Sequence, residues 1–138
     1  MALAERNRER ANVDAAVVDI REGDVTSPVL PDEYGIFDVL VSNPPYVPSS
    51  VVDTLPREVG AFEPRLALDG GTDGLDVFRR LLDEVPRMVR PGGLFACELF
   101  EEATESAAEL CRAAGLEEVR VVPDLATRPR FVVARRPR

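Results

Sequence analysis

Histidine and tryptophan are absent from this chain of 138 residues, and cysteine occurs only at Cys97 and Cys111. Without histidine the chain cannot form Ser-His or Cys-His catalytic pairs, so any chemistry must use other groups. The two cysteines lie far apart in sequence and form no CxxC motif. This argues against a structural zinc site and favours the reduced thiols of a cytosolic protein. We therefore expect no bound metal.

Long apolar runs are also missing from the sequence. No stretch approaches the roughly 20 apolar residues that cross a bilayer, and the start "MALAERNRER" lacks the apolar core of a signal peptide. The net charge of −8 argues against binding to DNA or RNA phosphates, which requires clustered Lys and Arg. We expect a cytoplasmic protein that acts neither in a membrane nor directly on nucleic acid.

The pattern of apolar residues predicts a layered α/β sheet in one domain, residues 1–138. The predicted strands are 15–20, 37–42, 94–100, "EEVRVVPD" and "RFVVARR", the last two as an antiparallel pair. The strand at 37–42 is apolar enough to be covered on both faces. The predicted helices are "MALAERNRERAN", "DVFRRLLDEVPRMV", kinked or ended by Pro86, and "EEATESAAELCRAAG", capped by Gly115, with "PGG" as a turn.

A proline-rich segment from residue 44 to about 76 separates the second strand from the next helix. Loops of this length inside a compact domain are uncommon, and they are usually functional or disordered. Because the segment contains the apolar residues Phe62, Leu66 and Leu68, an ordered binding loop is favoured over a flexible linker.

The stretch "VSNPPYVP" places Asn43 directly after a predicted strand, where α/β sheets bind their ligands. Pro44 and Pro45 have no N–H and hold the chain extended, so the nearby carbonyls stay available to a ligand. The Asn43 amide has one acceptor and two donors, and Tyr46 adds a flat face. These groups form a clamp for a planar –NH2 group. The alternative is a proline-rich turn with a buried asparagine.

An NPPY motif at a strand end resembles that of methyltransferases that modify planar nitrogens with S-adenosylmethionine. Together, "FDVLVSNPPYVP", "FEPRLALDGGTDGLDVFRRLL" and "RPGGLFACEL" closely resemble the HemK/PrmC family of protein-(glutamine-N5) methyltransferases. The resemblance runs along the whole chain. It implies S-adenosylmethionine-dependent methylation of a glutamine in a protein partner, a peptide-chain release factor. Two alternatives stay open: an adenine-N6 nucleic-acid methyltransferase, which shares NPPY, and a non-catalytic binding module.

The resemblance assigns the catalytic roles to the NPPY residues. It implies that the Asn43 side chain and the Pro44 carbonyl bind the glutamine amide, with Asn43 also next to the cofactor. Pro45 shapes the turn, and Tyr46 packs on the substrate or cofactor side. Hydrogen bonds that polarise a poorly nucleophilic amide nitrogen, and hold it in line with the methyl group, need no histidine.

Other residues take their roles from the same resemblance. Asp24 matches the acidic position near the cofactor's adenine, and Val25 flanks the ring. Asp24 could equally be a loop or N-cap carboxylate. Phe62, Glu63 and Pro64 correspond to the substrate-side loop, with a packed loop anchor as the alternative.

The chain departs from the family in its first part. The glycine-rich cofactor loop and the acidic ribose-binding residue have no counterpart, and "MALAERNRERANV" matches the helix after the family's second strand. We therefore expect a partial Rossmann-like class I methyltransferase sheet that lacks its first two strands, in a domain truncated at its N-terminus. The gap should expose an apolar face, which a partner segment or self-association could cover, and weaken cofactor binding.

Overall fold

The computed structural model describes residues 2–54 and 64–138. The chain divides into two compact units, Met1–Leu30 and Pro31–Arg138. In the described ranges, no helix combines the length and the apolar character that crossing a membrane requires.

The first unit consists of helix α1 (Ala2–Arg10) and a series of turns. The strand predicted at 15–20 is wrong, because a turn at Asp14 takes the backbone groups instead. The Asp14 carboxylate accepts the Ala16 N–H at 2.9 Å, and its carbonyl accepts the N–H groups of Val17 and Val18. A strand needs a neighbour for its hydrogen bonds, and the described part of this unit contains none.

The second unit is built on a four-stranded sheet in the order β1-β2-β4-β3. The strands are β1 (Phe37–Ser42), β2 (Val89–Glu98), β3 (Glu117–Pro123) and β4 (Pro129–Arg135). The helices are α2 (Ser49–Val52), α3 (Arg65–Leu68), α4 (Asp76–Met88) and α5 (Thr104–Ala113). β1 and β2 are parallel, and β4 is antiparallel to both of its neighbours. The predicted α/β sheet with an antiparallel C-terminal pair is confirmed.

The core lies between one face of the sheet and the helices α4 and α5. Alternate residues of the central strands are buried on this face, namely Phe95, Cys97, Val132 and Ala134. The helices contribute Phe78, Val85, Ala107, Ala108 and Cys111, each of them fully buried. The rings of Phe78 and Phe95, 5.9 Å apart, join α4 to β2. The predicted apolar spacing of both helices is explained by this single interface.

The opposite face of β1 is exposed, so the prediction that this strand is covered on both faces is wrong. Val39 is 48% exposed and Val41 73%, because α4 and α5 pack on the other side of the sheet. β1 is also an edge strand.

The "PGG" sequence is an irregularity within β2 and not the predicted turn before it. Val89 and Leu94 pair with the β1 residues that flank Asp38, so residues 90–93 lie opposite this single residue. Gly92 adopts a φ of +76°, which favours glycine. β2 therefore begins at Val89, well before the start that the sequence predicted at residue 94.

Two further element ends can be compared with the sequence. Helix α4 contains Pro86 and ends shortly after it, at Met88. The predicted cap at Gly115 is confirmed: its φ is +80°, and its N–H donates to the Arg112 carbonyl at 3.0 Å.

Both thiols should be chemically inert in the folded chain. Burial raises the pKa of Cys97 to about 12 and that of Cys111 to about 11, and the thiolate is the reactive form. We expect a thiol-specific reagent in mildly alkaline buffer to leave the native chain unmodified and to label both cysteines after unfolding in guanidinium. Rapid labelling of the native chain would contradict this packing.

Candidate active site

The loop after β1 presents Asn43 at the carboxyl edge of the sheet. Asn43 is exposed, whereas Pro44 is buried and anchors the start of the loop. Within the described residues, the Asn43 side chain has no hydrogen-bond partner and the Pro44 carbonyl accepts no backbone hydrogen bond. Because β1 and β2 are parallel, the end of β2 lies at the same edge. The polar groups predicted to bind a ligand are thus available to one.

A second loop, residues 69–74, runs alongside this segment. Val47 and Asp69 form a parallel bridge. The Val47 N–H donates to the Leu68 carbonyl, and the Gly70 N–H donates to the Val47 carbonyl, both at 2.9 Å. These bonds connect the NPPY loop to the "DGGTDG" loop directly.

The two loops approach so closely that only glycine fits on one side. A Cβ on Gly70 would lie 2.7 Å from the Tyr46 Cα and 2.8 Å from the Pro45 carbonyl oxygen. Gly74 has a φ of +76°, and a Cβ there would lie 2.3 Å from the Tyr46 carbonyl oxygen. Gly70 and Gly74 are therefore required by the backbone of NPPY, whereas a Cβ on Gly71 would collide with the Asp76 carboxylate.

The Tyr46 side chain is held by two residues that the sequence analysis missed, Glu98 and Arg130. The Tyr46 hydroxyl donates to Glu98 Oε1 at 3.3 Å, and the Arg130 guanidinium carbon lies 5.5 Å from the ring centroid. Arg130 Nε is 3.8 Å from the same Glu98 oxygen. The sequence could have pointed to Glu98 as a site residue, since it ends an apolar strand that is parallel to the strand before Asn43. No such pattern pointed to Arg130.

Asp69 joins the "DGGTDG" loop to both short helices. It accepts hydrogen bonds from the Ser49 hydroxyl at 2.6 Å, the Gly71 N–H at 3.0 Å and Arg65 Nε at 3.0 Å. The Ser49 hydrogen bond, followed by those from Gly71 and Arg65, holds the pKa of Asp69 below its usual value. Ionised Asp69 thus fixes the helices α2 and α3 around the site.

A cleft of about 320 Å³ lies beside the clamp. Its lining residues come from the NPPY loop and α3: Asn43, Pro44, Tyr46, Val47, Ala67 and Leu68. Pro64 is exposed and directly precedes α3, but it is not one of the residues that line the cleft. Phe62 and Glu63 lie outside the described residues. The volume is at the small end of the range for ligand sites, which suits one side chain.

The residues predicted to contact the cofactor's adenine, Asp24 and Val25, belong to the first unit. Asp24 is exposed, and its N–H donates to Ser27 Oγ at 2.9 Å within a turn. One carboxylate and one small apolar side chain cannot enclose a ligand as large as S-adenosylmethionine. The roles of Asp24 and Val25 at the cofactor stay predictions. The described residues include no cluster of three or more metal-ligating side chains.

No family model matches the chain. It is 47% identical over 133 residues to the release factor glutamine methyltransferase of Caulobacter vibrioides, covering 96% of this chain and 45% of the relative. The corresponding enzyme of Moorella thermoacetica is 40% identical over 138 residues, covering 99% and 47%. That of Mycobacterium tuberculosis is 41% identical over 129 residues, covering 92% and 42%.

The chain is homologous to release factor glutamine methyltransferases. This confirms the resemblance to the HemK/PrmC family. The chain spans less than half the length of these curated relatives.

A solved structure confirms the fold. The Encephalitozoon cuniculi (E. cuniculi) Mtq2–Trm112 complex, described as responsible for methylating the termination factor eRF1, aligns with a TM-score of 0.54 and 18% identity. The alignment covers 86% of this chain and 60% of that one. The four-stranded sheet is therefore part of a methyltransferase fold.

Replacing Gly74 with alanine should be far more damaging than the same change at Gly115. Both glycines have a positive φ, but an added Cβ would collide with Tyr46 only at Gly74, and at Gly115 it would meet nothing within 4 Å. We expect Gly115→Ala to lower the free energy of unfolding by about 1 kcal/mol and Gly74→Ala by about 3 kcal/mol. Urea unfolding measures both. Equal losses would show that the two loops do not touch.

Asp69 should make the stability of the chain depend on acid pH. The pKa of Asp69 is lowered in the folded state. Its contribution to the free energy of unfolding is therefore fully present above the pKa of the unfolded state, and it is lost as the pH falls through the pKa of the folded state. We expect the stability of Asp69→Asn to decline less steeply on acidification than that of the wild type. The control, Glu117→Gln, removes the same charge from an exposed position on β3. Parallel curves for all three chains would contradict the network around Asp69.

Proposed function

We propose that this chain forms the acceptor-binding part of an S-adenosylmethionine-dependent methyltransferase. Its substrate would be the side-chain amide nitrogen of a glutamine in a peptide-chain release factor, in the cytoplasm. The observation that carries the proposal is the exposed Asn43 amide beside a cleft of about 320 Å³, on a loop fixed by a second loop. The names of the homologues support the choice of glutamine and release factor.

The chemistry follows from the groups at the clamp. The Asn43 side-chain oxygen and the Pro44 carbonyl can each accept one N–H of the substrate amide, and the Asn43 NH2 can donate to its oxygen. Two acceptors on one NH2 group increase the electron density on its nitrogen, and they fix its direction. After methylation the proton can leave to solvent, so no catalytic base is needed. S-adenosylmethionine would supply the methyl group.

A second candidate, methylation of adenine N6 in nucleic acid, would use the same clamp. The net charge of −8 counts against it, since nucleic-acid enzymes neutralise phosphates with Lys and Arg. A third candidate, a non-catalytic binding module, is favoured by the lack of a glycine-rich cofactor loop in the sequence. One experiment can separate the three.

The experiment replaces the matching part of the Caulobacter vibrioides enzyme with this chain and measures methyl transfer to release factor and to duplex DNA. We expect one methyl group on a release-factor glutamine and none on DNA. Asn43→Ala should lower kcat by about 100-fold or more, whereas the control Asn7→Ala, an exposed asparagine on α1, should not. Methylation of DNA would favour the second candidate, and a folded chimera without either activity would favour the third.

The chain by itself should bind S-adenosylmethionine weakly or not at all. Asp24 and Val25 alone are too few groups to enclose the cofactor, and the sequence has no glycine-rich loop for it. We expect no heat of micromolar binding in titration calorimetry, with the Caulobacter vibrioides enzyme as the positive control. Micromolar binding by this chain would contradict the expectation.

A further inference from the structure

Tyr46 is held at both its backbone and its side chain, and this arrangement gives Glu98 and Arg130 a role. We infer that Glu98 and Arg130 are positioning residues, which act through Tyr46 to orient Asn43 toward the acceptor amide. This inference rests on the proposed function and adds two residues to its site.

The pair is anchored at the end of β2, where the sheet is rigid. Glu98 is the last residue of this strand, and Arg130 donates to the Leu99 carbonyl at 3.1 Å. Their side chains are 27% and 24% exposed, whereas the ion pair of Glu118 with Arg135 is 67% and 35% exposed. Partial burial reduces screening by water, so the charges of Glu98 and Arg130 act on Tyr46 more strongly than surface charges would.

The two contacts on Tyr46 constrain different motions of the ring. The hydrogen bond to Glu98 fixes the position of the hydroxyl. The Arg130 guanidinium covers a face of the ring, as in a cation–π contact. The two contacts together therefore restrain both the hydroxyl and the plane of the ring.

The position of Tyr46 is transmitted to Asn43 because only two prolines separate them. Each proline ring fixes its own φ, and each proline restricts the residue before it to extended conformations. Few soft torsions therefore remain between Asn43 and Tyr46, and a shift of Tyr46 moves the amide. The glycine contacts at Gly70 and Gly74 hold the Tyr46 backbone from the other side.

A double-mutant cycle in the full chain tests the inference. We compare Glu98→Ala, Tyr46→Phe and the double variant for affinity to release factor. Each single variant should bind about tenfold more weakly, and the double variant no more weakly than either, because both remove the same interaction. Glu98→Gln keeps an acceptor for the hydroxyl and should recover most of the affinity. Glu118→Ala breaks the exposed ion pair on the same sheet and is the control.

A structural readout that does not depend on substrate accompanies the cycle. The chain has only two tyrosines, so ring-¹³C tyrosine labelling reports Tyr46 directly, and ¹⁵N relaxation reports the Asn43 backbone. Glu98→Ala should shift the Tyr46 ring signal and increase the mobility of Asn43, and Glu118→Ala should do neither. These spectra also show whether each variant is folded.

The outcomes separate the inference from the proposed function. Additive losses in the double variant, or a Glu98→Ala chain that behaves like Glu118→Ala, would overturn the positioning role. A wild-type chain that does not bind release factor would overturn the proposed function itself, whatever the spectra show.

Discussion

The close approach of two backbones, at Tyr46 and at the glycines of "DGGTDG", is the constraint on which the site depends. Gly70 and Gly74 leave no space for a side chain beside Tyr46, so the two loops can pack only with glycine there. With its backbone fixed in this way, Tyr46 can reach Glu98 and lie under Arg130. Asn43 is then presented at the sheet edge, where its side chain has no hydrogen-bond partner among residues 2–54 and 64–138. The position of the NPPY motif therefore depends on the rigidity of the "DGGTDG" loop and of β2 beside it.

Patterns within short stretches of the sequence predicted those parts of the site that depend only on residues close together in the chain. The apolar run 37–42 followed by NPPY indicated a strand with a ligand-binding end, and "RFVVARR" indicated one strand of the final pair. The Glu98–Arg130 pair was not predictable in this way, because it depends on the register between β2 and β4. The strand expected at 15–20 failed for a related reason. Apolar β-branched residues indicate strand propensity, but a strand also requires a partner, which a local pattern does not reveal.

The described residues that we propose to bind and position the acceptor, Asn43, Tyr46, Glu98 and Arg130, all lie within the second unit. This unit has its own core and its own sheet, whereas Asp24 and Val25 belong to the first unit. The exposed Val39 and Val41 on an edge strand remain a surface that a further segment or a second copy could cover.

The proposed clamp would also limit which nitrogens can be methylated. Asn43 offers an NH2 donor next to its acceptor, so a good ligand must carry an acceptor beside its own NH2 group. An amide satisfies this requirement. A lysine ammonium has no acceptor, so it would leave the Asn43 NH2 group unpaired, and this loss of binding free energy would exclude lysine strongly. Adenine, with a ring nitrogen beside its NH2 group, satisfies the same pattern. In the proposed site, selection between glutamine and adenine would therefore come from the surroundings, namely the small cleft and the negative charge of the chain.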